Sequence, residues 1–281
     1  MFNLTDIELM EYIKEDIPYF DLTTYTQNCS DKKARLEIYT REDTLVSCSE
    51  ESARIAKLLG CKVETCVSSK TLAKKGDVLL SFSGDYEKVH QAWRSSQVIL
   101  EYSCKMANYA YEMKKIMLKS NPNIELLATR KTFPFAKRFC IKSIMNGGAM
   151  PHRLGLSETI LFFPNHRLVY KSDEVFYDEV KKIKAKTPEK KVVVESESLE
   201  DSISLMQVGV DVIQLDKVSV ELLEKVIKYK NKHFVHVKIL VAGGVNIKNA
   251  DKYAKSGVDG IVTSAIYFNG MTDIGCKMSI I

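Results

Sequence analysis

The chain has no CxxC pair, no internal repeat, no low-complexity tract and no block of like charge. Its longest apolar runs fall well short of the roughly 20 residues that a membrane helix needs. Each absence removes a class of protein. Seven cysteines (29, 48, 61, 66, 104, 140 and 276), odd in number and mostly inside apolar-periodic segments, do not form a disulfide framework, so reduced thiols and a cytoplasmic location are expected. Met1–Asp16 is too acidic for a signal peptide. A soluble protein with no membrane partner is therefore expected. Lysine and arginine exceed aspartate and glutamate only by 41 to 36. That mild excess, without a basic stretch, argues against a nucleic-acid partner and for a small anionic ligand.

What is present is an ordinary apolar fraction, 45% of 281 residues, enough for one large or two smaller cores. Leu4–Glu15 has helical spacing, Tyr19–Thr26 reads as a polar turn, and Ala34–Ser47 alternates like one or two strands. A helix over Glu50–Leu59 capped by Gly60, strands over Lys62–Ser68 and Asp77–Ser83, and a long helix over Tyr86–Lys119 follow. Asn121-Pro122-Asn123 stops that helix, and regular alternation begins. Strands are expected at 124–130, 159–163, 191–197, 211–216, 237–241 and 260–264, with helices at 135–145, 173–186, 199–208, 219–230 and 247–256. Six strands separated by five helices imply a parallel sheet. About 150 residues is short for an eight-unit barrel, so the fold class is α/β with an incomplete barrel.

Reactive side chains recur at the carboxyl ends of these strands, the rim where α/β barrels place their sites. Arg130 and Lys131 stand side by side after Thr129, one suited to an organic ligand and the other to a phosphate. Asn146–Leu156 is a glycine-rich turn that delivers His152 and Arg153, with Gly147-Gly148 permitting positive φ and close approach to a ligand. Glu195, Glu197 and Asp216 carry negative charge to the same rim. Either glutamate is a candidate, because alternate residues share a strand face. A site of both signs suits a polyphosphate held by cations, with magnesium or sugar hydroxyls held by carboxylates. The last two strands end in Gly243-Gly244 and Thr263-Ser264, small residues that suit phosphate next to a helix amino terminus. His233 and His236 lack a third ligand and read as surface residues.

Four segments together resemble a known family: Glu15-Asp16-Ile17-Pro18-Tyr19-Phe20-Asp21-Leu22-Thr23-Thr24, Thr129-Arg130-Lys131-Thr132, the run Gly147–Thr159, and Leu215-Asp216. Nearly the whole chain resembles the type II phosphoribosyltransferases of the quinolinate phosphoribosyltransferase family. Pro151 before His152, and Ser157-Glu158-Thr159, point to its ModD-type pyrophosphorylase branch. The resemblance implies an N-terminal α/β sandwich with a long crossing helix over residues 1–120, an incomplete parallel α/β barrel over 121–268, and a tail over 269–281 returning to the first domain. It implies a homodimer with shared active sites, Arg94 reaching the neighbour's site. Arg130, His152 and Arg153 would contact a small acidic heterocycle, while Lys131, Glu195 and Asp216 would serve phosphoribosyl pyrophosphate and its Mg2+, the two carboxylates as metal ligands. Phe163 falls where quinolinate enzymes carry a carboxylate-binding lysine, which argues against quinolinate itself. The expected activity is transfer of phosphoribosyl to a ring nitrogen. The alternatives are a decarboxylating quinolinate phosphoribosyltransferase of NAD biosynthesis, and a non-catalytic oxyanion-binding protein linked to molybdate transport, the latter suggested only by the branch's name.

Overall fold

The structure, a computed structural model, describes residues 3–27, 29 and 31–281. Helix α1 (Asp6–Asp16) starts at a reciprocal cap, in which Thr5 accepts from the Glu8 amide and the Glu8 carboxylate accepts from the Thr5 amide. The segment expected to be a turn contains α2 (Leu22–Thr26). Asp21 accepts from the amides of Thr23 and Thr24 there, and this cap stabilises a threonine-rich turn of helix that propensity disfavours. Strands β1 (Lys33–Thr40) and β2 (Thr44–Leu45), helix α3 (Ser49–Leu58), strands β3 (Lys62–Cys66), β4 (Leu72–Ala73) and β5 (Val78–Asp85), and helix α4 (Tyr86–Ser120) follow.

The alternating part begins with β6 (Glu125–Ala128), α5 (Lys137–Asn146), β7 (Met150–Pro151) and β8 (Ile160–Phe162). It continues through α6 (Pro164–Arg167), α7 (Asp173–Lys186), β9 (Val192–Ser196), α8 (Leu199–Gln207), β10 (Val212–Asp216) and α9 (Val220–His233). It ends with β11 (Lys238–Ala242), α10 (Ala250–Lys255), β12 (Gly260–Thr263) and β13 (Ile274–Ile280). Serines at 172, 198 and 219 cap α7, α8 and α9 by accepting an amide hydrogen three residues on. On α9 the apolar stripe Val220, Leu223, Val226 and Ile227 is buried, as its spacing predicts.

Two compact units result. The first gathers the described residues of Met1–Tyr111 with Thr132–Gly148 and Tyr267–Ile281; the second is Glu112–Lys131 with Ala149–Ile266. In the first, an antiparallel sheet of order β13-β1-β5-β3 buries one face. Alternate residues of β1 are buried from Ala34 to Thr40, and Leu36, Ile38, Leu80 and Phe82 pack in one core with Ala53 and Ala56 of α3 and Val89, Ala92 and Leu100 of α4. Strand β13 was invisible to local periodicity because its partner β1 lies more than 200 residues away.

The second unit is a parallel sheet of seven strands in the order β7-β6-β12-β11-β10-β9-β8. Read as a ring, this is chain order: β6 pairs with β12, so the first strand joins the last, and no ladder joins β7 to β8. The barrel is open along that seam. Strand β7, a two-residue piece too short to show periodicity, forms one edge, and Pro151 costs nothing where no neighbour asks for its amide. Along the inner face, Leu161, Val193, Val212, Leu240, Ala242 and Val262 form a dry layer, one or two from each of β8 to β12. Two residues further along three of the strands, the same face presents Phe163, Glu195 and Gln214.

Candidate active site

The inner face thus changes from apolar to polar toward the carboxyl ends, and a cavity of about 460 Å³ opens above the dry layer. Arg130, Lys131, His152, Arg153, Glu195, Asp216, Gly243, Gly244, Thr263 and Ser264 all line it. Arg94 does not. It is exposed on α4 in the first unit, its guanidinium 5.0 Å over the Trp93 ring.

Strand β6 stops at Ala128, earlier than expected, and the Thr129 amide bonds to the Thr263 carbonyl (3.0 Å). Beyond that point the chain has left the ladder, so Arg130 and Lys131 both reach one cavity although strand geometry would send neighbours to opposite faces. The His152 amide donates to the Ala128 carbonyl (2.9 Å), which continues the β7 ladder and holds the turn against β6. Burial and the adjacent Arg153 charge push the His152 imidazole down to about 4, so it carries no charge at pH 7. Arg153 is buried, and its guanidinium lies 6.0 Å from the centroid of the Phe163 ring.

The glycine pair of the turn works otherwise than the sequence suggested. A Cβ on Gly147 would stand 2.3 Å from the Ala107 carbonyl oxygen, so this glycine admits helix α4, and only Gly148 has positive φ (87°). Neither lines the cavity.

On the acidic side, Glu195 is buried and Glu197 is exposed, which resolves the choice between them. Burial, with Asp216 and Glu197 nearby, raises the Glu195 carboxyl; the Gln214 amide and Lys217 oppose that shift. Gln214 Nε2 donates to Glu195 Oε2 at 3.0 Å, while its Oε1 is buried without a partner. Sequence reading missed both Gln214 and Lys217. Gln214 lay inside an apolar run, yet it shares strand parity with Asp216, which was the signal available.

At the glycine-rich end, Gly243 and Gly244 have φ of 83° and 73°. The helix expected to begin at 247 begins at Ala250, because Asn249 accepts from the Asn246 amide (2.8 Å) and Asn246 from the Lys248 amide (2.9 Å), building a turn first. A helix dipole aimed at phosphate therefore gains no support here. Thr263 donates its hydroxyl to the Val245 carbonyl (2.6 Å), fastening one loop to the other.

The family model for the quinolinate phosphoribosyl transferase C-terminal domain matches residues 106–276, and that for its N-terminal domain residues 21–104. A protein of Pasteurella multocida that carries the name pyrophosphorylase ModD is 31% identical, with 98% of this chain and 97% of its own length covered. A nicotinate-nucleotide pyrophosphorylase (carboxylating) of Dictyostelium discoideum is 24% identical over 97% of this chain and 94% of its own. Among solved structures, NadC from Streptococcus pyogenes superposes with a TM-score of 0.89 at 20% identity, covering 99% of both chains, and so shares the fold.

Proposed function

The chain belongs to the quinolinate phosphoribosyltransferase family, whose members are phosphoribosyltransferase enzymes, and from that premise we propose that it transfers phosphoribosyl from phosphoribosyl pyrophosphate to a ring nitrogen of a small heterocycle bearing a single carboxylate. The observation that carries this reading is the convergence of Arg130, Lys131, Arg153, Glu195 and Asp216 on one cavity with an apolar wall at Phe163.

In the reaction the bond from the sugar's anomeric carbon to pyrophosphate breaks as the ring nitrogen bonds to that carbon. Positive charge grows on the sugar and negative charge on the leaving group. Lys131 sits to neutralise the departing pyrophosphate, and Asp216 with Glu195 to accept hydrogen bonds from the sugar hydroxyls and face the cationic sugar. Arg153 and Arg130 hold the acceptor's carboxylate. Neutral His152 adds a directional hydrogen bond without competing for that carboxylate as a cation. Positioning and charge supply the rate, and no protein nucleophile is required.

Glu195 and Asp216, on neighbouring strands, form a donor set that fits magnesium, which binds through one or two carboxylates and completes its shell with water and substrate phosphate. Among the described residues no group of three or more His, Cys, Asp or Glu could hold a metal ion. When bound, magnesium supplies further positive charge to the pyrophosphate oxygens. We also propose a homodimer in which Arg94 serves the neighbour's site; sedimentation of the purified chain tests the first half and Arg94→Ala kinetics the second.

The deciding assay is pyrophosphate release with magnesium across a panel of nitrogen heterocycles. Activity that vanishes in Lys131→Ala and Asp216→Asn supports the assignment, and full turnover in both variants rejects it. A second reading, quinolinate as acceptor, is favoured by the nicotinate-nucleotide pyrophosphorylases among the relatives. Phe163 opposes it, because an aromatic wall leaves a second carboxylate without a cation. Robust nicotinate mononucleotide formation from quinolinate would establish that alternative.

A further inference from the structure

Four residues other than glycine have left-handed backbone among the described residues: Cys48, Lys70, Phe135 and Lys217. Lys217 is the one that lines the cavity, with φ of 54°. A lysine gains nothing locally from that conformation, which costs on the order of 1 kcal/mol and recurs where function demands it. Its cause is visible one residue back. Strand β10 ends at Asp216, and the Lys217 amide adds one more bond to the ladder, donating to the Ala242 carbonyl at 2.9 Å. The chain must then turn sharply toward Ser219, which caps α9.

The turn lays the lysine stem across the glycine loop. A Cβ on Gly243 would stand 2.4 Å from Lys217 Cγ, so Gly243 is bare both for its own φ and to admit this side chain. The side chain is 80% exposed and its ammonium lies 4.0 Å from Asp216 Oδ2, the limit of an ion pair, so its donors are not consumed by protein. A flexible cation thus passes beside Gly243 and is left open to the cavity.

Resting on the phosphoribosyltransferase reading, we infer that Lys217 is a phosphate-binding residue of this site, supplying the charge that the glycine loop lacks. The ligand chemistry is a phosphate dianion, either the monoester on the sugar or the pyrophosphate. Binding to the full-length chain is measured by calorimetry with two probes, ribose 5-phosphate and inorganic pyrophosphate, for wild type, Lys217→Asn, Lys217→Gly and Lys217→Arg. Asparagine and glycine both tolerate the backbone, so the fold is kept, and relief of strain raises Tm in each. Affinity for one probe is expected to fall about 10- to 100-fold in both variants, as for loss of a charge-assisted contact, and to be largely retained in Lys217→Arg. The probe affected tells which phosphate Lys217 holds. Unchanged affinity for both probes in Lys217→Asn and Lys217→Gly overturns the inference while leaving the parent reading intact. Failure of the wild-type protein to bind either probe overturns both.

Discussion

The molecule holds two groups of charged side chains that are built in opposite ways. In the first unit, Lys142 of α5 is buried and donates to both oxygens of Glu51 (2.7 and 2.8 Å) and to Glu50 (3.1 Å). That cluster is closed, since the single ammonium meets two carboxylates and Glu50 also accepts from the Ser69 amide and hydroxyl. In the barrel cavity, Arg130, Lys131 and Arg153 have no salt-bridge partner among the described residues, and Glu195 is met only by a neutral amide. The first arrangement is architecture, while the second leaves charges that a ligand of mixed sign would compensate.

Removing one member from each group separates the two roles. Lys142→Met leaves Glu51 buried and uncompensated, and unfolding by denaturant should show a loss of about 3–5 kcal/mol. The paired change Lys142→Met with Glu51→Leu should recover much of that loss. If the single variant is as stable as the parent, the closed cluster is not structural. Lys131→Ala and Asp216→Asn should do the reverse, reducing kcat/KM by about 100- to 1,000-fold while Tm moves by only a few degrees. A large drop in Tm for either would move it into the architectural class.

His152 sharpens the contrast through pH. Its folded value of about 4 lies below its ordinary 6.5, so between these pH values the unfolded chain takes up a proton that the folded chain refuses. Stability should therefore be insensitive to this group above pH 6.5, fall as pH drops toward 4, and level off below. The cost is at most about 3 kcal/mol. His152→Gln removes that component, and the difference in ΔG between parent and variant, followed from pH 7 to pH 4, measures it. A difference that does not vary with pH would show that the imidazole is not held neutral.

Much of this was legible in the sequence because parallel strands announce themselves. Runs such as Val192–Ser196, buried on both faces, need no tertiary context, and the residues just past them lie on the active rim by topology. Illegible were features set by distant partners or by side-chain traffic. Strand β13 exists only through β1, Gly147 is small because helix α4 passes it, and the shift of α10 to Ala250 follows from two asparagines competing with helix for the backbone. Gln214 hid inside an apolar strand, and Lys217 looked like any surface lysine until its backbone was seen.

The smallest effect expected here concerns the cavity wall. Phe163 follows β8 at the open seam, beside Glu195 in strand order, and stacks on His166 at 5.7 Å between centroids. The wall is apolar on a site otherwise rich in charge, and the proposed acceptor, with one carboxylate held by Arg153, would turn an uncharged edge toward the ring. Phe163→Lys supplies a cation at that edge. The variant should gain about tenfold in kcat/KM for a dicarboxylated pyridine such as quinolinate and lose by a similar factor for a monocarboxylated acceptor. Competition between the two acceptors in one reaction reads the ratio directly, free of errors in active-enzyme concentration. If the ratio stays where the parent sets it, acceptor choice is made by the arginines alone and the aromatic wall only fills space.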